Sequence, residues 1–597
     1  MRLSGVAIAY AALVLVTPVP LLAQDATPSP LMSLARDVTF SSARLYPMQA
    51  TALGVPGFDA DLETPSEEFR AGYVRRLQRW QQQLQAITSR FDSGTSLRER
   101  DDAALLAAQL HASLNELLVY QTDRKDYSGA ANRVVAAIFT QFQNLPVAGR
   151  EGATPIDVDN AWHDIIKRLA SAPAYIVAGE RLASMPGHLY GVVGSEQLGN
   201  VADFFRGALT DAATAQLGKH AATLTRFLNA RDATLATIAE SKAYIDAHVA
   251  SWPENFAIGR KAYDDMLREE QLLPFDSRAI EQMGRDELAH GWAEEAWLTA
   301  LSRRESLPFG AASGGGMAPS GAALIDSYRE RIAELRQFVL EHDVVTVPDW
   351  LGSINVVETP AFLQPILPGA AMNPPRLFSP SSTGYYYITP PKSLLQAAAS
   401  LDMNEDFDHD RIVSTAAHEA MPGHFLQLSI AKRHPDFIRK IQNSGVFAEG
   451  WAFYGEEMFV KLGLYGSNLD GRLHTARWER VRGARAIIDS QLASGALTYE
   501  SAVDFFVVQT RYTKEAASAA VAGIATNPGY VIAYTVGRLQ LENLLADYML
   551  KMGDRGSLHD FHDRLLSYGT TPFSIVAPEL LADLDQPLSA VRAAANF

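Results

Sequence analysis

The chain has 597 residues, 47% of them hydrophobic and 20% charged, with a formal net charge of −16 and no cysteine. This length is more than one small domain needs, and the apolar share is that of a globular protein with a substantial core. The acidic balance argues against a nucleic-acid partner, since phosphate binding draws on clustered Lys and Arg. The lack of thiols excludes disulfides, a cysteine nucleophile and a lipid-bearing cysteine.

At the N-terminus, Arg2 precedes an apolar run from Val6 to Val16 that is too short to span a bilayer. Pro18 and Pro20 break the run, and Leu21-Leu22-Ala23 ends on a small residue. Residues 1–23 therefore read as a secretory signal cleaved after Ala23, with an uncleaved anchor as the alternative. No other stretch is apolar enough to cross a membrane, so no stable membrane association is expected after cleavage. The destination is extracytoplasmic, and the absence of cysteine suits a Gram-negative periplasm. Residues 24–343 are expected to form a helical N-terminal lobe, opened by a flexible leader up to about Pro30. From Ser66 to about Leu301 apolar residues recur three and four apart, as in Leu77, Trp80, Leu84 and Ile87, a pattern that marks helices facing a core. Gly310 to Gly321 is a Gly-, Ser- and Ala-rich connection, and no Lys-Ser or Lys-Thr follows its glycines to make a phosphate loop. Long helices resume near Leu324. Val344 to Pro391 is rich in Pro, Val, Tyr and Thr and predicts short strands. Within it, Thr383 to Thr389 reads as an edge strand, either pairing with an extended peptide or simply exposing its tyrosines. Helices return from about Asp408. Residues 344–597 thus form the catalytic region.

The chemistry concentrates in His418-Glu419-Ala420-Met421-Pro422-Gly423-His424, joined by Glu449 twenty-five residues further on. Two imidazoles and a carboxylate are the donor set of a catalytic zinc, which keeps a fourth position for water. Glu419 beside them suits a general base. The spacing needs an explanation. In H-E-x-x-H the histidines sit four apart, about 40° around a helix, and share one metal. Six apart, they diverge by about 240°. Pro422 cannot donate to the His418 carbonyl, and Gly423 tolerates unusual backbone angles. A bulge or loop-out there would return His424 to the face of His418. The plain alternative is two helices joined by a turn, with His418 capping the first. On the metal reading, one Zn2+ per chain binds His418, His424 and Glu449.

These residues, with Phe425-Leu426-Gln427 and Glu449-Gly450-Trp451-Ala452-Phe453-Tyr454-Gly455-Glu456, resemble the bacterial family known as domain of unknown function 885. That family is similar to the gluzincin zinc peptidases, both neurolysin-like and carboxypeptidase-like. Leu45 to Gly54, Pro528-Gly529-Tyr530 with Ala533 to Gly537, and Phe561-His562-Asp563 extend the likeness. The resemblance implies a mainly α, two-lobed, zincin-like fold with a deep cleft and a small β element. It also implies His418, His424 and Glu449 as zinc ligands, Glu419 as general base, and Tyr534 as a catalytic donor to the oxyanion, with a core tyrosine whose hydroxyl is satisfied as the plain alternative for Tyr534. The chain departs from the family pattern in two places. Ala493 stands where relatives carry a His, and Gly523-Ile524 stand where they carry Arg-Tyr, so fine specificity does not carry over.

Other residues have two readings each. Glu456 lies seven after Glu449 on one helix face. It either supports a ligand histidine or is an ordinary paired charge. Arg480, Arg482 and Arg485 either hold a peptide carboxylate or form a solvated face. His409 reads as a cap or surface residue and His562 as structural. The expected function is a secreted zinc peptidase acting on peptides or unfolded segments. The rivals are a zinc amidohydrolase or esterase on a non-peptide amide, and a non-catalytic helical binding protein with a degenerate metal site.

Overall fold

Apolar residues at helical spacing dominate the sequence, and most of the chain is helix. The computed structural model describes residues 28–145, 157–305, 322–364, 367, 369–389, 409–466 and 468–597, which are mainly helical with one small three-stranded sheet. The signal segment, the Gly310–Gly321 stretch and Pro390-Pro391 lie outside the described residues. Among those residues, no helix is long and apolar enough to cross a membrane.

The Glu67–Thr88 helix starts where the Ser66 side chain accepts from the Phe69 amide, a local cap for an otherwise unpaired N–H. Its apolar stripe buries Leu77, Trp80 and Leu84 against Leu105, Leu106 and Leu110 of the Leu97–Asn115 helix. Helices Gly129–Asn144, Val158–Leu182 and Ala221–His248 share a second core around Trp162 and Phe227. A third core surrounds the histidine-rich segment. It joins Ile280 and Leu335 to Tyr386, Ile412, Trp451 and Val536, so residues on both sides of position 343 contribute to it.

The sheet falls where the proline-, valine- and tyrosine-rich composition predicts strands. Strand β1 (Ile354–Glu358) pairs parallel with β3 (Gly384–Ile388), and β3 pairs antiparallel with β2 (Ala370–Asn373). The order β1-β3-β2 makes β3 the central strand, not the expected edge. Its tyrosines are not exposed side chains either. Tyr386 and Tyr387 are buried, the Tyr385 hydroxyl donates to the Gln143 carbonyl at 2.8 Å, and the Gln143 amide donates to the Tyr387 hydroxyl. The two outer strands are β1 and β2.

One helix seam positions the site. The Gly445–Lys461 helix crosses the Ala533–Met552 helix at Gly450 and Gly537. A Cβ on Gly450 would lie 2.5 Å from the Gly537 Cα. Only two glycines let the backbones come this close, which brings residues flanking Gly450 against those preceding Gly537.

Candidate metal centre

The two histidines meet across a turn. The His409–Glu419 helix ends at Glu419, and a second helix, His424–Lys432, begins at His424. Between them the Ala420 and Met421 amides both return to the Ala416 carbonyl, at 2.8 and 3.1 Å, and the Gly423 amide returns to Ala417 at 3.1 Å. The Met421–Pro422 peptide is cis. The segment is therefore looped out between two helices, and not a bulge inside one continuous helix. The imidazoles still converge, with ring centroids 4.7 Å apart and planes at 87°. Gly423 is required by space, because a Cβ there would stand 1.7 Å from the His418 carbonyl oxygen. The Trp451 indole donates to the Pro422 carbonyl at 2.8 Å and ties this turn to the helix that carries Glu449.

Glu449 closes the set. Its Oε2 lies 3.3 Å from His418 Nε2 and 3.4 Å from His424 Nε2. One ligand atom from each of the three residues falls within 4.8 Å of the others. With metal–ligand bonds of about 2.0–2.1 Å, the edge of a tetrahedral zinc site is about 3.3–3.4 Å. Glu449 Oε2 is buried and has no hydrogen-bond partner, although both imidazole Nε2 atoms lie within 3.4 Å of it. The donor set and this orphaned oxygen fit a divalent cation. His418, Glu419, His424 and Glu449 are each between 7% and 9% exposed, so a charge held there is poorly screened.

Acidic neighbours enclose the imidazoles. Burial pulls the His418 pKa down, but the close Glu449 and Glu456 carboxylates outweigh it and leave the value raised to about 10. Burial pushes Glu449 up, but the His424 and His418 charges hold it well below the usual carboxylate range. A cage of this sign draws positive charge, as protons or as a metal. Glu456 is the supporting carboxylate. Its Oε1 sits 2.6 Å from His418 Nδ1, and both its oxygens accept from the Arg482 guanidinium, at 3.1 and 2.6 Å. That pairing overcomes the effect of burial and holds its pKa down at about 2. His424 Nδ1 is buried with no such partner among the described residues.

Glu419 is placed by β2. Its Oε2 accepts the Met372 amide at 2.8 Å, from an outer strand of the sheet. Burial, the largest influence, raises its pKa despite the nearby His424 and His418 charges. The Tyr534 ring stacks on His418 with centroids 6.0 Å apart. Tyr530 was quoted in the resemblance without a role, yet its hydroxyl donates to Glu449 Oε1 at 2.8 Å. The residue is 44% exposed although its hydroxyl is turned to Glu449, so it stands where the site meets solvent.

Arg480 and Arg482 are not a solvated face, because both are buried and ion-paired, Arg480 with Glu295 at 3.1 Å and Arg482 with Glu456. Arg485 is partly buried with its guanidinium 5.6 Å from the Trp478 ring centroid. Ala493 is buried, and its carbonyl accepts the Ile258 and Gly259 amides, while a Cβ on Gly523 would meet nothing within 4 Å. His409 opens its helix, but its side chain lies outside the described residues. Two surface grooves of about 350 and 430 Å³, one near Leu34 and one near His111, include none of the candidate residues.

His562 is buried behind the Glu449 helix, as a structural residue would be. Its Nδ1 lies 2.7 Å from the Val344 carbonyl, and its Nε2 3.0 Å from the Tyr454 hydroxyl. Burial lowers its pKa to about 4. The unfolded chain takes up this proton near pH 6.5 and the folded chain does not. The stabilisation is therefore complete above pH 6.5 and is lost as pH falls towards 4, by roughly 3 kcal/mol. Denaturant titrations of metal-free protein at pH 7 and 4.5 are expected to show this loss, and His562→Gln to reduce it. An unaltered pH slope in that variant would refute the assignment.

Comparison with solved structures gives the same fold. A protein of unknown function from Shewanella oneidensis, provisionally described as a lipoprotein, superposes with a TM-score of 0.71 at 20% identity, over 93% of this chain and 100% of that one. Another, from Colwellia psychrerythraea and described in the same way, gives 0.76 at 18% identity, over 94% and 100%. No curated protein sequence matches the chain. Residues 47–580 match the family described as bacterial protein of unknown function (DUF885), and the chain belongs to that family.

Proposed function

We propose that this protein is an exported zinc peptidase of the gluzincin kind, two-lobed around a cleft that admits peptides or unfolded segments. The observation that carries the reading is the placement of Glu449 Oε2 at tetrahedral-edge distance from both imidazole Nε2 atoms, with Glu419 next in sequence to His418. A purely structural metal site has no need of that adjacent carboxylate. Zinc bound by His418, His424 and Glu449 would polarise the scissile carbonyl and bring the pKa of a bound water to about 7. Glu419, held by the Met372 amide and raised in pKa by burial, takes the water proton and returns it to the leaving amine. Tyr534 keeps its proton, since burial and then the Glu449 charge raise its pKa well above the ordinary value. It is thus a donor suited to a developing oxyanion. Export to the periplasm accords with the signal-like N-terminus and with structural relatives described as lipoproteins. The 597 residues hold no cysteine to carry a lipid, which favours a free protein.

The test is elemental analysis of protein purified without chelator, followed by digestion of a peptide library. About one zinc per chain with cleavage supports the reading, and failure to take up zinc overturns it. Glu456 adds a second test. Glu456→Gln removes the charge that orients His418 and neutralises Arg482, and zinc affinity is expected to fall about 10- to 100-fold in chelator competition. Unchanged affinity would mean that Glu456 only balances Arg482.

A further inference from the structure

The Leu469–Ala493 helix presents Trp478, Arg482, Arg485 and Asp489 on one face, by their spacing of four, three and four. Two of these are anchored to the site. Arg482 holds Glu456 behind His418. Asp489 accepts the Gly529 amide at 2.8 Å, fixing the backbone just before Tyr530, and accepts the Tyr263 hydroxyl at 2.8 Å. Arg485 lies between them, and its charge reaches Tyr534. Among the described residues it has neither an ion pair nor a hydrogen bond, only the Trp478 ring at 5.6 Å. In a chain with net charge −16 whose neighbouring Arg480 and Arg482 are both paired with glutamates, a partly buried guanidinium without an acid is the exception. With no acid beside it, its guanidinium donors are free to take a bound carboxylate.

We infer that Arg485 binds a carboxylate of the substrate, beside the tyrosines that border the metal centre. The inference rests on the peptidase reading and refines it. A guanidinium fork offers two parallel N–H donors to a carboxylate, and an amide in its place forfeits the charge. The carboxylate comes either from a peptide C-terminus, which makes the enzyme a carboxypeptidase or short-peptide peptidase, or from an acidic side chain within a longer peptide.

The experiment uses zinc-loaded full-length Glu419→Gln as a trap without turnover. Three probes are titrated by calorimetry: acetyl-tetra-alanine with a free carboxylate, the same peptide as its amide, and acetyl-Ala-Ala-Glu-Ala amide. The free acid, or the glutamate peptide, is expected to bind at least about tenfold more tightly than the uncharged amide, and which of the two does so identifies the source. Adding Arg485→Gln should bring that ratio to about one, and Arg485→Lys should restore only part of it. Zinc content and thermal midpoint verify that the variants are folded. A ratio that survives Arg485→Gln, or no preference for either carboxylate at the outset, overturns this inference and leaves the peptidase reading standing. Binding of none of the three peptides overturns both.

Discussion

Glu419→Gln is expected to lose about 10³-fold in turnover while keeping its metal. The substitution is close to isosteric. A glutamine oxygen can accept the same Met372 amide that holds Glu419 Oε2 at 2.8 Å, so the side chain stays in place. What goes is the ability to take a proton. The carboxylate is buried, and burial raises its pKa, so its ionised form is unfavourable in the fold. The neutral amide removes that cost, and the variant should melt no lower than the parent. Retained zinc, an unchanged or higher thermal midpoint and lost turnover together would establish Glu419 as the base. Parental turnover in this variant would eliminate that role, and loss of zinc would place Glu419 among the ligands.

Gly423→Ala is expected to dismantle the centre. Its Cβ would meet the His418 carbonyl oxygen at 1.7 Å, the His418 carbonyl carbon at 2.4 Å and the Ala417 oxygen at 2.5 Å. All three are backbone atoms, and no rotamer change can relieve the contact. The helix ends must separate, and His424 leaves the Glu449 carboxylate. The stability cost should exceed about 3 kcal/mol, in the range of severe overpacking. Zinc content should fall to near zero. Gly445→Ala is the control, since a Cβ there meets nothing within 4 Å on the same helix that carries Glu449. It should stay within about 0.5 kcal/mol of the parent. A Gly423→Ala protein with normal zinc content would show that the turn relaxes without moving the histidine.

The convergence of His418, His424 and Glu449 was legible because these side chains are chemically distinctive and, with Glu419, three of the four candidates lie within seven positions. Glu456 was accessible from helical spacing alone. The means of closure was not. Pro422 announces a break, but a bulge and a helix-to-helix turn differ only in where the next helix packs, and that is decided by contacts such as Trp451 with the Pro422 carbonyl. Strand composition was readable locally, while the position of β3 between β1 and β2 depends on pairing between distant segments. The arginines show the same limit. A run of charge looks like a solvated surface until Glu456 and Glu295 are seen to face it. Tyr530 carried no signal for its contact with Glu449, because a tyrosine after Pro-Gly reads equally well as part of a turn.

The Gly450–Gly537 seam has a mechanical consequence. No side chain stands between the two backbones, so there is no rotamer whose change alters their separation. Glu449 on one helix and Tyr534 in the first turn of the other are therefore held backbone to backbone, and parting them requires displacing whole helices. On the opposite side, Glu419 is tethered to β2 by a single Met372 hydrogen bond. The compliance of the centre is thus one-sided. Its Glu449 wall is fixed backbone to backbone and its Glu419 wall by one hydrogen bond to a strand, so engineering that widens the site has least to break along β2.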